Sequence, residues 1–241
     1  MAVCLESYRN ENEHQTEGED MRSLKTLDEV SDGKIYDIED LVEADAKGCG
    51  GCSACCHDVG DLVVLTPFDV HQMMISMNVS FELLLKEHIE LVEHKKLFLP
   101  HLKMQGASKR CSFLDVKDRC EIHQYRPNIC RLFPLGRVYE GDDFKYFLQV
   151  NSCKKKVLDK VRVKDWIGIA DYKENKKFLL AWHDLLKALT FRMKFIYNEE
   201  ECEALNHYFL DTFYRKVLEE GDFYRDFWSS LPEAKQYLGI I

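Results

Sequence analysis

The sequence predicts an α+β protein, predominantly helical, in which a cysteine-rich module with short β-hairpins precedes a helical C-terminal half. Three observations carry that prediction. Eight of the ten cysteines lie between Cys49 and Cys153, the stretches separating the later ones read as short strands joined by polar turns, and from Phe178 onward apolar residues recur every three or four positions. The chain then divides into a flexible acidic N-terminus over 1–25, a cysteine-cluster module over 26–162, and a helical region over 163–241 packed on it.

The N-terminal segment is set apart by charge. Residues 1–45 hold 14 acidic and 4 basic residues, so the formal net charge of −9 is concentrated there. Its polar first twenty residues offer no secretory signal, and no later stretch approaches the roughly 18 apolar residues of a membrane span. A chain of 241 residues buries a core without cysteine staples. The expected location is therefore the reducing cytoplasm, where clustered thiols hold metal or do redox chemistry more often than they form disulfides.

Elements of the module follow from local signals. In "TPFDVHQMMISM", Thr66 is the expected N-cap, Pro67 the first helical residue and Asp69 the capping-box partner, with Val70, Met73, Met74 and Met77 as a core stripe. A second helix is expected from Ser80 toward His94, with Leu84, Leu85, Ile89 and Val92 inward. "KRCSFLDVKDRCEIH" reads as a hairpin about DVKD that brings Cys111 near Cys120. Pro127 opens a helical turn carrying Cys130, and Pro134 ends it. A further hairpin is centred on Gly141 and Asp142, with Cys153 after its second strand.

In the C-terminal half, Phe178, Trp182, Leu185, Leu186, Leu189, Met193 and Ile196 mark one face of a long helix. Asn198 with Glu201 caps the next, whose apolar side runs through Leu205, Phe209, Phe213 and Val217 to Gly221. A short helix after Pro232 closes the chain. Cys202 falls on an apolar face and reads as a buried thiol.

The chemistry lies in "CGGCSACC", residues 49–56. Cys49, Cys52 and Cys55 form CxxCxxC, a spacing that lets three thiolates wrap one cuboidal cluster while a fourth ligand arrives from far along the chain. Cys130, in the first turn of a helix and beside Arg131, ranks first as that remote ligand. Cys111, Cys120 and Cys153 can complete the set or form a second site with Cys56. His57 is a candidate accessory ligand, and His123 adjoins the second hairpin strand. A Cys4 zinc site also uses CxxC knuckles and a remote pair. The adjacent cysteines and the triple spacing favour an iron–sulfur cluster of the 4Fe–4S kind, with a zinc or iron ion as the alternative.

Residues 103–162 hold 14 basic and 7 acidic residues, a surround that lowers the cost of burying thiolates. Within it Arg126, Arg131 and Arg137 are candidates to contact the cofactor or an acidic substrate, or simply to neutralise thiolate charge. No GxGxxG, phosphate loop, HExxH or CxxxCxxC pattern is present. A nucleic-acid partner is not expected, since the basic segment coincides with the cysteines and lacks a reading element.

CxxCxxCC over 49–56, followed by "CSFL", "RCEIHQYRPNICRLFPLGR" and Cys153, closely resembles the YkgJ-type cysteine-cluster family of zinc- or iron-chelating domains, over roughly residues 44–155. The resemblance implies metal-binding positions at Cys49, Cys52, Cys55, Cys56, Cys111, Cys120, Cys130 and Cys153. Some family members are described as flagellin lysine methylases and others as iron–sulfur oxidoreductases, so it implies a cofactor class more firmly than a reaction. Three functions are carried forward: a metal or iron–sulfur protein with redox or protein-modifying activity, a zinc-stabilised module that binds a protein partner without catalysis, and a protein lysine methylase.

Overall fold

A computed structural model describes residues 27–47, 52–59, 62–155, 157–216 and 222–240. The acidic start, Cys49 and its flanking glycines, and Val217 to Gly221 lie outside the described residues. In chain order the elements are α1 (Leu27–Val30), β1 (Leu41–Asp45), α2 (Pro67–Met77), α3 (Phe81–Glu87), β2 (Ile89–His94), β3 (Leu97–Leu102), β4 (Met104–Gln105), β5 (Arg110–Cys111), α4 (Asn128–Leu132), β6 (Leu135–Glu140), β7 (Asp143–Leu148), β8 (Asp159–Arg162), α5 (Val163–Ile167), α6 (Tyr172–Met193), α7 (Glu199–Leu210) and α8 (Phe223–Tyr237). The architecture is mixed α+β with more helix than strand, and every strand pair is antiparallel.

The described residues fall into two compact units, interleaved along the chain. One comprises Met1–Gly48 with Leu132–Gly168, the other Cys49–Arg131 with Ile169–Ile241. In the first, β6 and β7 form the hairpin expected about Gly141, β1 pairs with β8, and Tyr36 bridges Tyr146. Its core is built from Val42, Ala44, Leu135, Phe144, Phe147, Val163 and Ile167.

The second unit holds the helical C-terminal segments and all but one of the described cysteines between 52 and 153. Trp182 on α6 stacks on Phe209 of α7 at 5.5 Å and meets Phe213 and Tyr214 edge-on. Phe178 meets Phe223 and Phe227 of α8 in the same way, at 5.1 and 4.8 Å. Such pairs add to the burial of large rings. α2 is fastened to this bundle at its N-terminus, where the Phe68 ring stacks on Tyr224 at 5.5 Å and Tyr214 donates a hydrogen bond to Leu65 O at 3.0 Å.

The expected caps are present. Thr66 and Asp69 complete a capping box at α2, Asn198 Oδ1 accepts from Glu201 N at 2.9 Å, and α6 runs through the predicted stripe. Three expectations are corrected. The helix after Ser80 stops at Glu87, and Ile89 to His94 is a strand paired with β3. Lys95 and Lys96, both at positive φ, make the two-residue reversal; a short apolar run with Ile and Val fits either period.

The strand carrying Cys111 pairs with Met104 and Gln105, so the DVKD hairpin reduces to a turn and a single bridge between Leu114 and Cys120. The last helix begins at Phe223, not after Pro232, with Asp222 as its cap. Pro232 sits inside it at a cost of about 3 kcal/mol. Phe223, Phe227 and Leu231, each gaining roughly 1.5–3 kcal/mol on burial, outweigh that cost.

Candidate metal centre

Four stretches of the second unit meet at the cysteines. After Cys52, a 3-10 turn over Ala54–Cys56 is closed by Cys56 N–H donating to Ser53 O at 2.8 Å. The next two residues run beside β5: His57 bridges Arg110, and Asp58 N–H donates to Lys109 O at 2.8 Å. That pairing sets the Cys55–Cys56 turn next to Cys111, across more than fifty residues of chain. Cys120 lies beyond the DVKD turn at the Leu114 bridge, and Cys130 sits in the middle of α4.

The thiols influence one another electrostatically. The adjacent Cys56 thiol holds Cys55 down at about 7, helped by Arg126 and His57 and opposed by burial. Cys56 is correspondingly pushed up, by Cys55, by burial and by the proximity of Cys130 and Cys111. Burial raises Cys111 to about 11, with Cys120 and Cys55 adding to it. It also raises Cys120, and it raises Cys130 strongly, where Cys111, Cys55 and Cys120 all contribute. Cys55, Cys56, Cys111, Cys120 and Cys130 are therefore within electrostatic reach of one another, and charge on any of them opposes charge on the rest.

Cys49 lies outside the described residues. Cys52 is half-buried in the same unit, whereas Cys153 belongs to the other unit. Cys202 is half-buried on α7, its Sγ 3.8 Å from Lys96 O, and takes no part in the cluster.

Arg126 donates to His123 O at 3.0 Å and to the His123 ring at 3.1 Å. Arg131 Nε donates to Arg126 O at 3.0 Å, and its Nη2 donates to Gln124 O. Both arginines brace the segment between Cys120 and Cys130, and Arg126 also lowers the cost of a thiolate at Cys55 and Cys120. Arg137 is in β6 of the other unit, its guanidinium 5.3 Å from the centre of the Phe144 ring. Burial, with Arg126 and Arg131 adding to it, pushes the His123 pKa down; the His57 ring contacts Ser53 O at 2.9 Å.

The sequence pattern gives Asp69 only a capping role, yet its carboxylate is 2% exposed. One oxygen accepts from Thr66 N and Oγ1 at 2.9 and 2.8 Å. The other accepts from Asn128 N and Nδ2 at 2.8 and 2.9 Å, at the start of the helix that carries Cys130. No local signal points to the second pair, because the two residues are 59 positions apart.

Do these residues fit a metal? All-sulfur donors suit zinc, iron and iron–sulfur clusters. Asn128 Oδ1, two residues before Cys130, is buried and lacks a hydrogen-bond donor. Among the described residues, however, no three His, Cys, Asp or Glu side chains already stand in a ligand arrangement, so ligation requires the neighbouring thiols to turn toward a shared point. The donor set and its surroundings fit; the thiol directions are those of a site still to be closed. No described helix is long and apolar enough to cross a membrane.

Comparison with known proteins returned one family. Residues 48–157 match CxxCxxCC, described as "Putative zinc- or iron-chelating domain". No curated protein and no solved structure matches the chain. The matched stretch contains every cysteine from Cys49 to Cys153. The five neighbouring thiols all lie inside residues 48–157, the stretch that is similar to the CxxCxxCC family of domains.

Proposed function

We propose that this domain holds an iron–sulfur cluster, with ligands drawn from Cys49, Cys52, Cys55, Cys56, Cys111, Cys120 and Cys130, in a reducing compartment. The observation that carries the reading is the meeting of five thiols from four stretches, an all-sulfur donor set that includes two members of the CxxCxxCC motif, whose triple spacing suits a cuboidal cluster. The described cysteines are all free thiols, as ligation requires. When bound, such a cluster supplies one-electron transfer. Arg126 and Arg131 offset the charge of the assembled thiolates, the aromatic bundle holds α2 still, and α2 in turn fixes the Cys130 segment.

A second reading is a zinc-stapled interaction module. What favours it is how little backbone structure joins the cysteine-bearing pieces: β4 and β5 are two residues each, and α4 is five. Anaerobic purification followed by absorption spectroscopy and iron and acid-labile sulfide analysis separates the two. Broad absorption near about 400 nm with stoichiometric sulfide is the outcome for a cluster. Colourless protein with stoichiometric zinc overturns the first reading in favour of the second.

A further inference from the structure

Asp69 is the only acidic side chain buried among the described residues. An N3 carboxylate needs neither burial nor its second oxygen to cap a helix, and an exposed one serves equally well. Here the oxygen not used by Thr66 is committed to both donors of Asn128. α4, with five residues, is too short to hold its own course. α2 is held on its other side by Phe68 against Tyr224 and by the Tyr214 hydroxyl on Leu65 O. The carboxylate therefore occupies a fixed place from which the start of α4 is oriented.

We propose that Asp69 is a positioning residue of the metal centre: through the two hydrogen bonds to Asn128 it aims the Cys130 thiol at the other cysteines. The inference rests on the metal-binding reading above. The bond to Nδ2 fixes which way the Asn128 amide faces and leaves Oδ1 as the unfilled acceptor beside the site. Groups behind the ligands commonly control affinity in this way, their loss costing roughly 10- to 100-fold.

The test compares full-length Asp69→Asn with Ser80→Ala. The first keeps the shape of the side chain but turns one acceptor into a donor. The second weakens the cap of the next helix, α3, where Ser80 Oγ accepts from Leu83 N at 3.3 Å, and touches neither Asp69 nor Asn128. Zinc(II), iron(II) and cobalt(II) are titrated in parallel into metal-free reduced protein, with the cobalt thiolate charge-transfer bands as the spectroscopic readout.

The expected result is a roughly 10- to 100-fold loss of affinity and an altered cobalt spectrum for Asp69→Asn. Ser80→Ala is expected to stay within about threefold of wild type with an unchanged spectrum, since it leaves Asp69 and its Asn128 pair in place. Wild-type affinity and spectrum in Asp69→Asn, or equal losses in both variants, overturns the inference while leaving the metal-binding reading in place. If wild type takes up none of the three ions, the reading itself fails and the inference with it. Should Asp69→Asn not fold, Asn128→Ala carries the same expectation and the same refutation.

Discussion

Thr66→Ala tests the buried carboxylate directly. The substitution removes a hydroxyl that accepts from Asp69 N at 3.2 Å and donates to Asp69 Oδ2 at 2.8 Å. Loss of an N-cap costs about 1 kcal/mol, and loss of a hydrogen bond to a buried charged group costs roughly 1.5–3 kcal/mol. The expected total is about 2–4 kcal/mol at pH 7, read from urea unfolding followed by tryptophan fluorescence. The pH dependence sharpens the test. Burial pushes the Asp69 carboxyl above its ordinary value, against the pull of its hydrogen bonds to Asn128 and Thr66. A raised folded-state value contributes stability that is complete below the unfolded-state pKa of about 3.9 and is lost as pH rises through the folded-state value. Removing the hydroxyl raises the folded-state value further. The variant's deficit therefore grows as pH rises through the folded-state value of the Asp69 carboxyl. A loss under about 0.5 kcal/mol at pH 7, or a larger loss at the acid end, would refute the reasoning.

Three other substitutions probe the scaffold. Gly136→Ala places a methyl group into the ring of Phe147, which is 2% exposed and cannot swing away; a thermal melt should show a loss of about 1–3 kcal/mol. Asn206→Ala strips Phe98 N–H of its acceptor and Lys96 O of an amide donor, and about 2 kcal/mol should disappear in chemical denaturation, with Asn206→Asp recovering the Phe98 contact. At the β2–β3 reversal, Lys95 holds a φ of 52 with an exposed side chain, so Lys95→Asn should raise the denaturation midpoint by the equivalent of about 0.5 kcal/mol; unchanged or lower stability there argues against strain at that turn.

What the sequence made legible was what lies within a few residues. Thr66, Pro67 and Asp69 announce a helix start because capping is local, and Asn198 with Glu201 does so again. The stripe from Phe178 to Met193 is long enough for its period to be unambiguous, and Gly141 marks a turn whose flanks alternate. Ile89 to His94 misled because six residues with two inward aliphatics satisfy helix and strand alike, and the decision rests with β3. Pro232 misled because a local breaker was outweighed by a buried face visible only once α6 is in place.

At the site, CxxCxxCC identified the thiols through spacing alone. Their meeting depends on long-range pairings, His57 with Arg110 and Asp69 with Asn128, that carry no local signature. The second role of Asp69 was hidden for the same reason, since a capping box accounts for its presence before its other oxygen is considered.

Cys55, Cys56, Cys111, Cys120 and Cys130 are proposed to act together on one metal centre. Metal content of anaerobically purified Cys111→Ser and Cys130→Ser, measured beside Cys202→Ser, tests it most directly. The first two are expected to lose bound metal, whereas Cys202→Ser keeps the wild-type complement. Full metal content in both Cys111→Ser and Cys130→Ser would contradict it.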